Sequence, residues 1–131
     1  MTHSMKPRIA IVEDDATLAF MTDELCTSAG FEVVGCVASA DEAMELVEQD
    51  EPDLLILDFN LEGQSNGLEL IGRAKAENPS LKTVLVTGWD INDIASRVGA
   101  AQPDRILRKP VNPNILLDVI GQLFSVKTES A

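Results

Sequence analysis

Apolar and polar positions follow a regular cycle along this chain, a short apolar run and then a longer amphipathic stretch. The first run, Arg8 to Val12, carries Ile9, Ile11 and Val12 and breaks at once into Glu13, Asp14 and Asp15, where a strand would meet a loop. From Ala16 the apolar residues Leu18, Phe20, Met21, Leu25, Cys26 and Ala29 recur at helical spacing, and Gly30 stands where a C-terminal cap belongs. Phe31 to Val37 reads as a second strand. Ser39 then caps a helix through Gln49, with Ala43, Met44, Leu46 and Val47 on one face and Glu51-Pro52 as its stop.

Leu54 to Leu57 is the most apolar run and lacks the alternation of a strand with one wet face, so it is expected at the centre of a parallel sheet, with Asp58 directly after it. A loop containing Gly63 and Gly67 leads to a helix through Glu77. Asn78-Pro79 turns the chain, and Thr83 to Val86 makes a fourth strand ending at Thr87-Gly88. Asp90 to Val98 is a shorter, weaker helix, and Asp104 to Arg108 is a fifth strand followed by Lys109-Pro110. Asn112 as N-cap and Pro113 in the first turn open a last helix, whose apolar face is Ile115, Leu116, Val119, Ile120, Leu123 and Phe124. About five strands alternating with about five helices describe an α/β, doubly wound parallel sheet covered on both faces. In such a sheet the binding crevice lies beyond the carboxyl ends of the strands, where the strand order reverses.

Length and composition narrow this picture. A chain of 131 residues, 45% hydrophobic, closes one core and leaves no room for a second domain of ordinary size. The expected domain runs over 8–125, between flexible ends at 1–7 and 126–131. The 22 acidic against 10 basic residues give a net charge of −12, which disfavours nucleic acid and anionic membrane as partners. Cys26 and Cys36 lack metal-site spacing and are expected as reduced core thiols, and no apolar run nears the roughly 18 residues of a membrane span. Neither a signal peptide nor an anchor is read, which implies the cytoplasm. His3, the only histidine, is expected in a frayed end.

Four of the five predicted strands end in polar or charged side chains: Glu13 and Asp14, then Asp58, Thr87 and Lys109. Each alone is ordinary surface punctuation, but the fold gathers them at one edge. Carboxylates crowded there repel one another unless a hard cation sits among them, and Mg2+, which favours oxygen ligands and phosphate, is the natural choice. An aspartate can accept a phosphoryl group as an acyl phosphate while a metal, a lysine and a hydroxyl offset charge on its oxygens. Asp58, Lys109 and Thr87 supply the acceptor, the cation and the hydroxyl.

The stretches Ile11-Val12-Glu13-Asp14-Asp15, Leu55-Ile56-Leu57-Asp58-Phe59-Asn60-Leu61, Val84-Leu85-Val86-Thr87-Gly88 and Arg108-Lys109-Pro110 resemble the receiver domain of bacterial two-component response regulators, of chemotaxis-regulator type. The resemblance runs from Ile9 to Phe124 and implies a flavodoxin-like (βα)5 fold with strand order 2-1-3-4-5. By position it implies that Asp58 is the phosphoacceptor. Asp14 would ligate Mg2+ directly, Glu13 through water, and Asn60 through its backbone carbonyl. Lys109, the Thr87 hydroxyl and the Gly88 amide would take the phosphoryl oxygens. The Lys109-Pro110 bond resembles one that is cis in the family, at a proline cost of only about 0.5–1 kcal/mol. Receivers usually carry Tyr or Phe three residues before the lysine; Ile106 stands there instead, and Trp89, after Thr87-Gly88, is the candidate replacement read-out. The loop from Glu62 to Gly67 is also slightly longer than usual.

The implied donor is a sensor histidine kinase or a histidine phosphotransfer protein. The implied output is a phosphorylation-dependent change in the face formed by the fourth helix, fifth strand and fifth helix, read by a downstream protein. Only seven residues follow Phe124, so a stand-alone single-domain regulator is expected, monomeric or dimerising on phosphorylation. Two other readings compete. A phosphatase of haloacid-dehalogenase type would want a second acid where Asn60 stands and an acidic pair late in the chain. A binding module on the same fold would bind its partner regardless of phosphodonor.

Overall fold

The computed structural model describes residues 6–59, 67–88 and 102–124. The expected helix from Asp90 to Val98, His3, Asn60, Trp89, the loop positions up to Asn66 and the two chain ends lie outside the described residues.

Five strands are present: β1 (Arg8–Val12), β2 (Glu32–Val37), β3 (Leu54–Asp58), β4 (Lys82–Thr87) and β5 (Arg105–Arg108). The described helices are α1 (Ala16–Ser28), α2 (Ala40–Asp50), α3 (Gly67–Glu77) and α4 (Pro113–Phe124). All neighbouring strands are parallel, in the order β2-β1-β3-β4-β5, so the flavodoxin-like sheet expected from the sequence is the one that forms. Strand order reverses between β1 and β3. Asp58 is the last residue of β3 rather than the first of a loop.

Strand alternation splits the core into two layers. Ala10, Val12, Leu55, Leu57 and Leu85 pack with α2 and α3, through Ala43, Val47, Leu70 and Ile71. Ile9, Ile11, Leu54, Ile56, Val84 and Val86 face the other side, with Cys26 of α1 and Leu116, Val119 and Ile120 of α4. Helix ends follow the polar punctuation. Ser39 accepts the Glu42 amide at the start of α2, Asn112 accepts the Asn114 amide at 2.8 Å before α4, and Gly30 takes a left-handed φ of 96° just past α1.

Two expectations need correction. The apolar period of α1 marked Leu18, Phe20 and Met21 along with Cys26, yet they are 37%, 64% and 58% exposed, and Ala19 and Cys26 are the buried residues of the helix. Those two lie seven positions apart, two turns on one line, and their small side chains let the helix sit close to the sheet while the larger neighbours fall to the flank. Cys36 is exposed rather than a core thiol, because it lies on β2 at the edge of the sheet. Cys26 is buried, and that burial, with the Asp23 carboxylate and Cys36 nearby, pushes its thiol up to about 12.

Polar bonds tie the amino edge of the sheet. Asp53 accepts the Arg8 amide at 2.9 Å through its side chain, and its backbone bonds Arg8 and Lys82, linking β1, β3 and β4. Asp104 accepts Lys75 Nζ at 2.9 Å and the Thr83 amide at 2.8 Å, joining the end of α3 to the starts of β4 and β5. Burial alone would raise the Asp104 pKa, but the Lys75 and Thr83 hydrogen bonds and the charges of Lys75 and Lys82 hold it below the ordinary value. Asp104→Ala is therefore expected to lower unfolding stability by about 1–3 kcal/mol in urea titrations at neutral pH. With the folded pKa below the unfolded one, this contribution is full above about pH 4 and is lost as pH falls through the lowered value, so the two proteins converge in acid.

Candidate functional site

The carboxyl edge carries the opposite arrangement, like charges brought together. One carboxylate oxygen from each of Glu13, Asp14 and Asp58 lies within 4.8 Å of the others. Glu13 and Asp14 follow β1, and Asp58 ends β3, so the two strands at the order reversal deliver all three. The Asp58 side chain is 7% exposed and its Oδ2 accepts Lys109 Nζ at 2.9 Å, while Glu13 Oε1 lies 3.8 Å from the same ammonium.

Lys109 reaches across because its backbone is anchored. Its amide donates to the Thr87 carbonyl at 2.8 Å, extending the β4–β5 pairing by one residue, and the Lys109-Pro110 bond is cis. The Phe59 amide donates to Val86 at 3.0 Å, which ties the end of β3 to β4. Thr87 ends β4 and is fully buried, and Gly88 follows it at the surface. Ile106 pairs in register with Leu85 and packs, half-buried, against the core beneath α2 and α3. Asn60 and Trp89 lie outside the described residues.

Charge crowding shows in the titration of the group. Burial pushes Glu13 up to about 7, with the Asp58 carboxylate adding to the rise and the Asp15 amide and Lys109 opposing it. Burial would lower Lys109, but its hydrogen bond and charge attraction to Asp58, then Glu13 and Asp14, raise it instead. One ammonium does not offset three carboxylates. An all-oxygen donor set with excess negative charge suits a hard divalent cation, with Asp14 and Asp58 as carboxylate donors and Glu13 beside them.

Sequence reasoning missed two features. Asp15, third in the acidic run, turns away from this group; its side chain accepts the Thr17 and Leu18 amides at 2.9 and 3.1 Å and caps α1. An aspartate just before a helical period is itself an N-cap signal. The second is a cavity of about 490 Å³ running from Asp58 and Lys109 between α1 and α4, walled by Leu18, Met21, Leu25 and Leu116. It arises where α1, α4 and the segment before α4 meet, so no local pattern shows it.

A doubly wound sheet with an acidic, cation-competent crevice and a lysine at its carboxyl edge defines the class of protein, and sequence comparison agrees with it. The family model of the response regulator receiver domain matches residues 9–121, and the chain belongs to that family. It is 32% identical over 108 residues to a cyclic di-GMP phosphodiesterase of Thermotoga maritima, covering 82% of this chain but 28% of that protein. It is 24% identical to the chemotaxis protein CheY of the same organism, over 91% of this chain and 98% of CheY. The crystal structure of a CheY-like receiver domain protein from Methanospirillum hungatei superposes with a TM-score of 0.80 at 31% identity, covering 95% of this chain and 99% of that one. Receiver domains are signalling domains that typically hold Mg2+ in an acidic pocket of this kind. No helix among the described residues is long and apolar enough to cross a membrane.

If repulsion dominates the site, its charges will register in stability. At low salt with EDTA, Asp14→Asn is expected to raise the urea midpoint, because it removes one of three crowded carboxylates. Lys109→Met should lower stability by about 1–3 kcal/mol, since it strips the charge-assisted hydrogen bond from buried Asp58. Equal midpoints for native protein and both variants would contradict the electrostatic account.

Proposed function

We propose that this chain is a phosphorylation switch in which Asp58 accepts a phosphoryl group from a sensor histidine kinase or a histidine phosphotransfer protein. The 2.9 Å bond between Lys109 Nζ and Asp58, inside a pocket also lined by Glu13 and Asp14, carries the reading. An Asp58 carboxylate oxygen attacks phosphorus, the phosphorus–nitrogen bond of the donor histidine breaks, and the imidazole leaves with that electron pair. The product is an acyl phosphate, which water later cleaves to the carboxylate and inorganic phosphate. Lys109 passes from the carboxylate to a phosphoryl oxygen, and the Thr87 hydroxyl and Gly88 amide take another. Asp14 and Asp58, with the Asn60 carbonyl and with Glu13 through water, would hold Mg2+, which would supply positive charge to offset that on the transferring oxygens.

The receiver domain extends over 8–125 in this reading and works in the cytoplasm through protein partners. Drawing Thr87 toward the acceptor alters the face after β4 that includes β5 and α4, where Trp89 and Ile106 are the candidate read-out. A downstream protein reads that face. Incubation with Mg2+ and acetyl phosphate is expected to add one phosphoryl group by intact mass, and EDTA or Asp58→Asn to abolish it. No gain with any small donor would sink the acceptor assignment.

The flank of α1 supports a docking role for the phosphodonor. Leu18 and Met21 line the pocket while staying 37% and 58% exposed, and give it an apolar rim that no described element covers. Leu18→Ala with Met21→Ala is expected to slow transfer from a histidine kinase about tenfold or more, as loss of interface anchors does, with acetyl phosphate labelling unchanged. Equal slowing with both donors would assign these side chains to the site rather than to docking.

A further inference from the structure

Gly67, the first residue of α3, stands against the end of β3. A Cβ built on it would lie 2.8 Å from the Asp58 carbonyl oxygen, 3.0 Å from the Phe59 Cα and 2.9 Å from Leu85 Cδ1. Two of these neighbours are backbone and cannot turn aside as a side chain can. The Gly67 amide also donates to the Phe59 carbonyl at 2.8 Å. Its φ lies outside the left-handed region, unlike that of Gly30, so an L-residue could adopt this backbone; what is excluded is the volume of a side chain.

Phe59, directly after Asp58, is thus held by both of its backbone polar groups. The Phe59 amide bonds Val86 in β4, and the Phe59 carbonyl bonds Gly67 in α3. The Asp58 carboxylate leaves the same backbone to meet Lys109 at 2.9 Å. A side chain at 67 must either lift the start of α3 and break its bond to Phe59, or displace the end of β3. Both routes move the carboxylate relative to Lys109, Glu13 and Asp14.

We infer that Gly67 is a positioning residue for the acceptor: its missing side chain lets α3 fix the Asp58–Phe59 backbone where the carboxylate meets its partners. The inference rests on the reading of Asp58 as phosphoacceptor. It extends that reading to a residue that touches no phosphoryl oxygen.

The test compares the native protein with Gly67→Ala, and with Ala74→Gly as a control that weakens the same helix at a buried position seven residues away. Urea midpoint, Mg2+ affinity by calorimetry and the acetyl phosphate dependence of labelling are measured at a temperature where each protein is folded. Ala74→Gly is expected to lower the midpoint with labelling kept within about twofold, whereas Gly67→Ala lowers Mg2+ affinity and the limiting labelling rate by about tenfold or more. Native Mg2+ affinity and labelling in folded Gly67→Ala, or losses no larger than those of the control, would overturn the inference. A native protein that takes no phosphoryl group would instead overturn the acceptor reading.

If Gly67→Ala does not fold, the double variant with Leu85→Val relieves the side-chain contact and leaves both backbone contacts. Recovery of folding without recovery of rate supports the inference, and recovery of both overturns it. Should neither variant fold, NMR of the native protein decides: the Gly67 and Phe59 amide resonances are expected to shift on Mg2+ addition with one midpoint. An unmoved Gly67 resonance would overturn it.

Discussion

The hydrogen bond from Lys109 Nζ to Asp58 joins two segments that the chain separates by 51 positions, and the arrangement of the carboxyl edge depends on it. Asp58 is almost buried and has Glu13 and Asp14 as close neighbours, and buried charged groups are held by a partner of opposing charge. Lys109 supplies that charge from a backbone pinned to Thr87. The pairing of β4 with β5 therefore sets where the cation stands, and the pairing of β1 with β3 sets where the carboxylates stand. Local disturbance of either pair would reach the acceptor.

The two edges of the sheet treat charge in opposite ways. At the amino edge, the Asp53 carboxylate accepts the Arg8 amide, Asp104 accepts the Lys75 ammonium and the Thr83 amide, and the Arg8 guanidinium bonds the Asp50 carbonyl at the end of α2. These bonds hold the strands in register without strain. At the carboxyl edge the carboxylates outnumber the cation, and burial, with the Asp58 charge adding to it, pushes Glu13 up to about 7. On the proposed reading, a site that takes a divalent cation and a phosphoryl group is expected to be poorly neutralised before they arrive. The well-satisfied edge and the two-layer core supply the stability that tolerates it.

Helix α1 belongs to both regions. Asp15 caps its start next to the acidic group, and Ala19 and Cys26 seat it on the sheet, while Leu18, Phe20 and Met21 face outward. Small residues on the seating line and large ones on the flank leave the cavity toward α4 and an apolar surface beside the acceptor. One helix thus frames the pocket and leaves apolar side chains at its rim.

Much of this was written in the sequence. Alternation of short apolar runs with amphipathic stretches determined the strands to within a residue or two at their ends, and the acids, threonine and lysine at those ends determined the candidate site. Both signals are local: a strand period of two and a helix period near four depend on neighbouring residues alone. The tertiary structure decided what is not local. The exposure of Phe20, Met21 and Cys36 depends on what packs over them, and the turning of Asp15 toward α1 separates it from Glu13 and Asp14, although the three are consecutive. The need for glycine at 67 was equally invisible, because it arises from backbone atoms of Asp58 and Phe59, which only the packing of α3 against the end of β3 brings to about 3 Å.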